Sequence, residues 1–207
     1  MNTADNRHWT TSDFIADDPV LDFLNTTGAK GKQRINERLH SCRALIDWAL
    51  AAQLVTEDEH QRLLQLSQAE TATAGRELDQ IILWREALYA LMHAASHEQK
   101  PEGAALHCVE NVIKQALASA QLHYTVGEPG FWGVDSEKAG IATIRHRLAL
   151  QLNKGITGGK YQQTKECEAC TWMFIDTSRS RRRRWCSMST CGNRAKARRF
   201  YQGENKA

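Results

Sequence analysis

The sequence predicts a mainly α chain with a small β component (α+β). A helical N-terminal domain with a short β-hairpin is followed by a small C-terminal unit of treble-clef-like shape. Three observations carry this. Apolar residues recur at steps of three and four through most of the first 153 residues, the period of an amphipathic helix. Near residue 120 that period falls to two on either side of Glu128-Pro129-Gly130, as in paired strands. Near residue 160 charge and cysteine content shift together: residues 1–159 carry a net −5 and residues 160–199 a net +8, and the latter hold four of the six cysteines. Such a joint shift marks a domain boundary. The divisions expected are a helical domain over 1–154, a linker over 155–164 and a four-cysteine unit over 165–203.

Ile35, Leu39, Cys42, Ile46 and Ala49 lie on one face of a helix expected from about 35 to 53. Thr56 with Glu59 three residues on forms a capping box, opening a second helix to about Ala69. Ile81, Trp84, Leu88, Leu91 and Ala95 define a third from about 76 to 96. Pro101 suits the first turn of a fourth, where its missing N–H costs nothing; this helix turns Leu106, Val109, Ile113 and Ala116 inward. Leu122, Tyr124 and Val126, then Phe131, Trp132 and Val134, read as a hairpin. A fifth helix over about 136–153 presents Ile141, Ile144, Leu148 and Leu152, and the Gly-rich run from Gly155 to Lys160 reads as flexible.

Composition bounds the function. With 207 residues, 42% of them apolar and only 3 prolines, the chain can bury a real core and is not a disordered polymer. The longest apolar run is the six residues Ala87–Met92, against about 20 for a membrane span. The opening MNTADNRHWTTSDF has no basic-then-apolar layout, so a cytoplasmic setting without membrane contact is expected. There, cysteines are reduced or metal-bound rather than paired. No phosphate-binding glycine loop, nucleophile elbow or dinucleotide fingerprint occurs, and no enzyme is expected. His93 and His97 have a spacing able to hold a metal, but without a His-Glu-x-x-His context they read as surface residues.

Cys167, Cys170, Cys186 and Cys191 form the pattern C-x2-C-x15-C-x4-C. Four thiolates suit one tetrahedral zinc ion, and a unit of about forty residues needs a metal in place of a core. A redox CxxC motif would not need the second pair. One structural Zn2+ is therefore expected, with Cys191 in the first turn of a helix. Trp172, Phe174 and Trp185 are read as the finger's small core, and Cys42 and Cys108 as buried small hydrophobes.

Trp185-Cys186-Ser187-Met188, Cys191-Gly192-Asn193-Arg194, Phe174-Ile175-Asp176-Thr177-Ser178-Arg179 and Ala195-Lys196 together resemble the CGNR zinc-finger family over residues 160–200. Leu21-Asp22-Phe23-Leu24-Asn25-Thr26 resembles the opening motif of the ABATE domain that precedes this finger. The resemblance implies a stress-induced transcription regulator whose N-terminal domain senses a signal or mediates assembly. It places the metal on Cys167, Cys170, Cys186 and Cys191 and brings no catalytic residues.

Arg179, Arg181, Arg182, Arg183 and Arg184 precede the second cysteine pair; Arg194, Lys196, Arg198 and Arg199 follow it, with no acid between Asp176 and Glu204. Such a field attracts a phosphate backbone. At about 100° per residue from Cys191, Arg194 and Arg198 fall on the metal side, where they offset thiolate charge, while Lys196 and Arg199 point elsewhere. The nucleic-acid candidates are thus Arg179, Arg181, Arg182, Arg183, Arg184, Lys196 and Arg199, with phosphate contact favoured over base readout. DNA is expected ahead of RNA. A ribosome-associated module and a zinc- or redox-responsive interaction protein are the competing readings. Asp22 and Asn25 either line a pocket for a small-molecule ligand or hold a turn, and a homodimer is compatible with the sequence.

Overall fold

The computed structural model describes residues 9–30 and 32–204. The opening segment on which the leader expectation rests therefore lies partly, at residues 1–8, outside the described residues. The elements run α1 (Pro19–Leu24), β1 (Thr27–Lys30), β2 (Gln33–Glu37), α2 (Cys42–Ala51), α3 (Glu57–Ala69), α4 (Thr71–Ser96), α5 (Gly103–Ser119), β3 (Ala120–His123), β4 (Phe131–Val134), α6 (Ser136–Ala139), α7 (Thr143–Thr157), β5 (Thr164–Glu166), β6 (Met173–Ile175) and α8 (Asn193–Glu204). The three sheets described are antiparallel pairs, β1–β2, β3–β4 and β5–β6, so the chain is mainly α. Among the described residues no helix is long and apolar enough to cross a membrane.

The core forms around α1 and α4. Asp18 caps α1 by accepting the Leu21 amide at 3.0 Å, Pro19 opens its first turn, and Val20, Leu21, Phe23 and Leu24 are wholly buried. The Phe23 ring stacks on Trp84 of α4 at 5.6 Å and tilts against Trp48 of α2 at 5.5 Å. Each such side chain removes a large apolar area from water. Ile81, Leu88, Ile144, Leu148 and Leu152 complete the centre.

Three arginines tie elements at the edge of this core. Arg85, 1% exposed, meets Glu37 (2.5 and 2.9 Å), Glu86 and the Thr26 hydroxyl. Arg145 meets Glu77 at 2.6 and 3.0 Å, and Arg147 meets Glu59 together with the carbonyls of Leu54 and Val134. A buried cation is tolerated only with its donors used in this way.

Several expectations hold and others shift. The capping box is present: Thr56 accepts the Glu59 amide and Glu59 accepts the Thr56 amide. The hairpin over 120–134 also forms, pairing Leu122 with Trp132, yet both side chains are exposed and only Val134 turns inward. The helix expected from residue 35 is a correction: residues 33–37 form β2, Ile35 is 64% exposed, and α2 starts only after Ser41, whose hydroxyl caps Ala44. Helix α4 begins at Thr71 rather than 76. Pro101 stands just before the Glu102 N-cap of α5, whose inner face is Ala105, Val109, Val112 and Ala116, with Leu106 outside.

The segment expected as a linker begins inside α7, which runs to Thr157. Gly155 is buried there because the Tyr161 ring lies where a side chain would stand: a Cβ would sit 2.3 Å from it. The Tyr161 hydroxyl and Lys160 ammonium both reach Asp18.

Candidate metal centre and basic surface

The β5–β6 hairpin presents the first cysteine pair. The Cys167 amide donates to the Trp172 carbonyl at 2.9 Å, closing a knuckle that turns Cys167 and Cys170 inward. Cys186 lies in a bend, and Cys191 on a wide turn, residues 188–192, that leads directly into α8. All four cysteines are buried and form no disulfide, and their sulfurs lie within 4.8 Å of one another. Cys170–Cys186, Cys186–Cys191 and Cys191–Cys170 measure 3.8, 3.6 and 3.7 Å. Thiolates at about 2.3 Å from a tetrahedral zinc stand about 3.8 Å apart, whereas a disulfide requires about 2.05 Å. The donor set fits one Zn2+, held by Cys167, Cys170, Cys186 and Cys191.

Each residue of the Cys191-Gly192-Asn193-Arg194 motif has a local task. Cys191 is a ligand. Gly192 lets Met188 and Trp185 close over the turn, since a Cβ there would lie 2.7 Å from the Met188 sulfur and 3.5 Å from the Trp185 ring. Asn193 donates to the Ser189 carbonyl at 3.4 Å, and Arg194 donates to the Cys191 sulfur at 3.0 Å. Four thiolates on a divalent ion leave a double negative charge, which a guanidinium on sulfur offsets. The expected metal-side position of Arg194 is thus occupied; Arg198, expected beside it, is exposed.

The arginine loop is organised from below by Asp176, a residue whose role the sequence reading missed. Its carboxylate, 1% exposed, accepts the Ser178 amide and hydroxyl at 3.1 and 2.5 Å, the Arg183 amide at 2.9 Å and the Lys165 ammonium at 2.7 Å. Burial pushes this carboxyl up, but Lys165, Ser178 and the Arg183 amide outweigh it and hold it well below the usual carboxylate range. Lys165 also donates to the Arg181 carbonyl, and Arg181 takes a left-handed backbone, φ 50°. An Asp two residues before a Ser is a turn signal that could have exposed this role.

Of the seven candidate contact residues, all but Arg183 are exposed. Among the described residues Arg179, Arg181, Arg182, Lys196 and Arg199 form no ion pair with a carboxylate. Arg183 differs: its guanidinium lies over the Phe174 ring at 4.2 Å and donates to the carbonyls of Trp185 and Cys186. Arg184 is bound by both oxygens of Glu168 and lies over Trp185.

Asp22 and Asn25 lie at the seam between α1 and the finger. The Asn25 amide donates to the Met173 carbonyl at 2.9 Å and its oxygen accepts the Met173 amide at 2.8 Å, mimicking a strand partner. Asp22 accepts the Ala16 amide at 3.0 Å, and the Ala16 carbonyl accepts from Ile175 at 3.4 Å. Trp172 donates to the Thr27 carbonyl at 3.2 Å. Neither Asp22 nor Asn25 is among the residues lining the cleft beside the cysteines, which Asp13, Arg38, Trp172 and Asn193 help to form. Cys42, on the α2 face, has its thiol raised to about 11 by burial and the nearby Glu77 carboxylate, which leaves it unreactive.

Compared with known families, residues 163–203 match the CGNR zinc finger, and residues 17–152 match the family described as "ABATE: Putative stress-induced transcription regulator". No curated protein shows a significant match to the chain. The second match alone spans well over half of the chain, and the finger match encloses all four metal ligands. The chain belongs to the ABATE family, with a CGNR zinc finger at its C-terminal end.

Proposed function

We propose that this protein is a DNA-binding transcription regulator that engages the phosphate backbone through the outer surface of its zinc finger. The observation that carries the reading is the loop from Arg179 to Arg182. Its backbone is fixed by the buried Asp176, while the side chains of Arg179, Arg181 and Arg182 stay exposed, as do those of Lys196 and Arg199 on α8. Cations held in place lose little freedom on meeting a polyanion, and each phosphate contact releases counterions. Arg184 adds to this face if it exchanges Glu168 for phosphate, whereas Arg183 serves the finger's own packing. A cytoplasmic regulator of this kind receives its signal through the helical domain. The cleft of about 860 Å3 between residues 10–15, β2 and the Ser187–Arg194 turn is the place for an effector, because whatever binds there touches the turn that holds Cys191 and lies against Cys170 and Cys186.

Titration of duplex DNA at rising salt tests the reading. Affinity should fall log-linearly with salt, and Arg181→Ala with Arg182→Ala should reduce the slope by about two while leaving the zinc content at one per chain. Salt-independent or absent binding overturns it. Structured RNA that outcompetes duplex DNA under the same conditions transfers the function to RNA.

A further inference from the structure

Where the finger meets α4, Glu166 of β5 comes against His93 and His97 near the end of that helix. Single side-chain donors from the three residues lie within 4.8 Å of one another. Glu166 Oε2 stands 3.4 Å from His93 Nε2 and 3.8 Å from His97 Nε2. Both separations exceed the 2.7–3.2 Å typical of an N–H···O hydrogen bond. They are close to the separation of about 3.3 Å between donors at 2.0–2.1 Å in a tetrahedron; the two imidazoles stack at 4.2 Å and 23°, and a turn of their side chains aims both Nε2 atoms at one ion.

The ring of His97 supplies the second observation. Its Nδ1 lies 2.9 Å from the His93 carbonyl and 3.1 Å from the Ser96 hydroxyl, whose own hydrogen goes to that carbonyl at 2.9 Å, so Nδ1 carries the hydrogen. In the neutral ring the lone pair then belongs to Nε2, the atom that faces the carboxylate. Two lone-pair donors facing each other are relieved by a proton or by a metal ion between them, and the long separations leave room for the ion. A histidine tautomer fixed through its other nitrogen is also the usual outer shell of a bound metal. On the carboxylate side, Lys32 holds Glu166 Oε1 at 2.8 Å and the Cys167 carbonyl at 2.7 Å, which leaves Oε2 turned toward the imidazoles. Glu166 is 7% exposed, the histidines 39% and 44%. The position is open to an ion from solvent, and a fourth ligand can complete it.

We propose that His93, His97 and Glu166 form a second metal site for a borderline divalent transition ion such as Zn2+ or Co2+, separate from the four-cysteine centre. Two imidazoles and one carboxylate are the donor set for such ions. Because Glu166 directly precedes Cys167, an ion there fastens α4 to the strand that leads into the first zinc ligand. Metal availability then acts on how firmly the finger is held.

The test uses the full chain loaded with one zinc and titrated with Co2+. One further equivalent should bind at micromolar concentration, with the weak visible bands of N/O-ligated cobalt and no intense near-ultraviolet thiolate band, and Tm should rise. In His93→Ala and in His97→Ala, both at half-exposed positions, this equivalent should weaken at least about tenfold while the first zinc and the helix content stay. No second equivalent at 100 µM free Co2+ overturns the proposal. So does uptake that brings the thiolate band, or uptake unchanged in His97→Ala.

Discussion

The helical domain and the finger solve the same problem by opposite means. The domain holds itself by burying side chains: Phe23, Trp48, Trp84, Ile81 and Leu148 are wholly enclosed. The finger has two three-residue strands and a mostly exposed helix, α8. Its fixed points are four sulfurs, the Asp176 carboxylate and the paired hydrogen bonds of the Asn25 side chain, at the end of α1, to the Met173 backbone. Burial is spread over many residues and degrades gradually, whereas a metal centre is lost as a unit. The two regions should therefore fail differently.

Removing the metal is the largest expected effect. Zinc binding in small fingers is worth roughly 10–16 kcal/mol, so chelation or Cys186→Ser should erase hydrogen-exchange protection over residues 164–204. Helices α2 to α5 and α7 should keep theirs, and DNA affinity should fall at least about a hundredfold. Loss of protection throughout the chain would break the comparison. Next, Trp84→Ala should cost about 3–5 kcal/mol in urea unfolding while the purified chain still holds one zinc.

Asn25→Ala leaves the Met173 amide and carbonyl buried and unpaired, which should cost about 2–4 kcal/mol. Limited proteolysis should then open the chain near residues 155–166 before the helical core yields.

Asp22 gives the smallest effect, about 1–3 kcal/mol, and a pH signature. Burial raises its carboxyl to about 7; the amides of Ala16 and Ile15 oppose this, and the carboxylates of Asp18 and Asp17 add to it. Between about pH 4 and 7 the folded chain holds a proton that the unfolded chain has released. Its contribution is present below the unfolded value and is lost as pH rises through 7. Urea unfolding at pH 5 and pH 8 should show the native chain weaker at pH 8 and Asp22→Asn without that difference.

Features that depend on near neighbours in the chain were legible. The Thr56–Glu59 box, the α7 face of Ile144, Leu148 and Leu152, and the cysteine spacing need only a short stretch of sequence, and the four sulfurs do converge. Features set by distant partners were not. The 4-3-4-3 spacing from Ile35 suits a helix, but Gln33–Glu37 pairs with β1, and Glu37 is claimed by the buried Arg85, 48 positions away. Asn25 and Met173 are 148 positions apart, and neither residue type announces the pairing. His93 and His97 were visible as a pair, whereas Glu166 reaches them only through the fold. On α8 a helical wheel placed Arg194 beside the metal, whereas only the fold separates Arg183, withdrawn into carbonyl contacts, from the exposed Arg179, Arg181 and Arg182.

The anchoring of the arginine loop by Asp176 has a practical corollary. Since the path of the backbone is set by groups underneath it, the outward side chains at 179, 181 and 182 can be exchanged as a set without rebuilding the scaffold. The platform is therefore suited to randomised libraries, in which new recognition faces are selected while fold and metal stay constant.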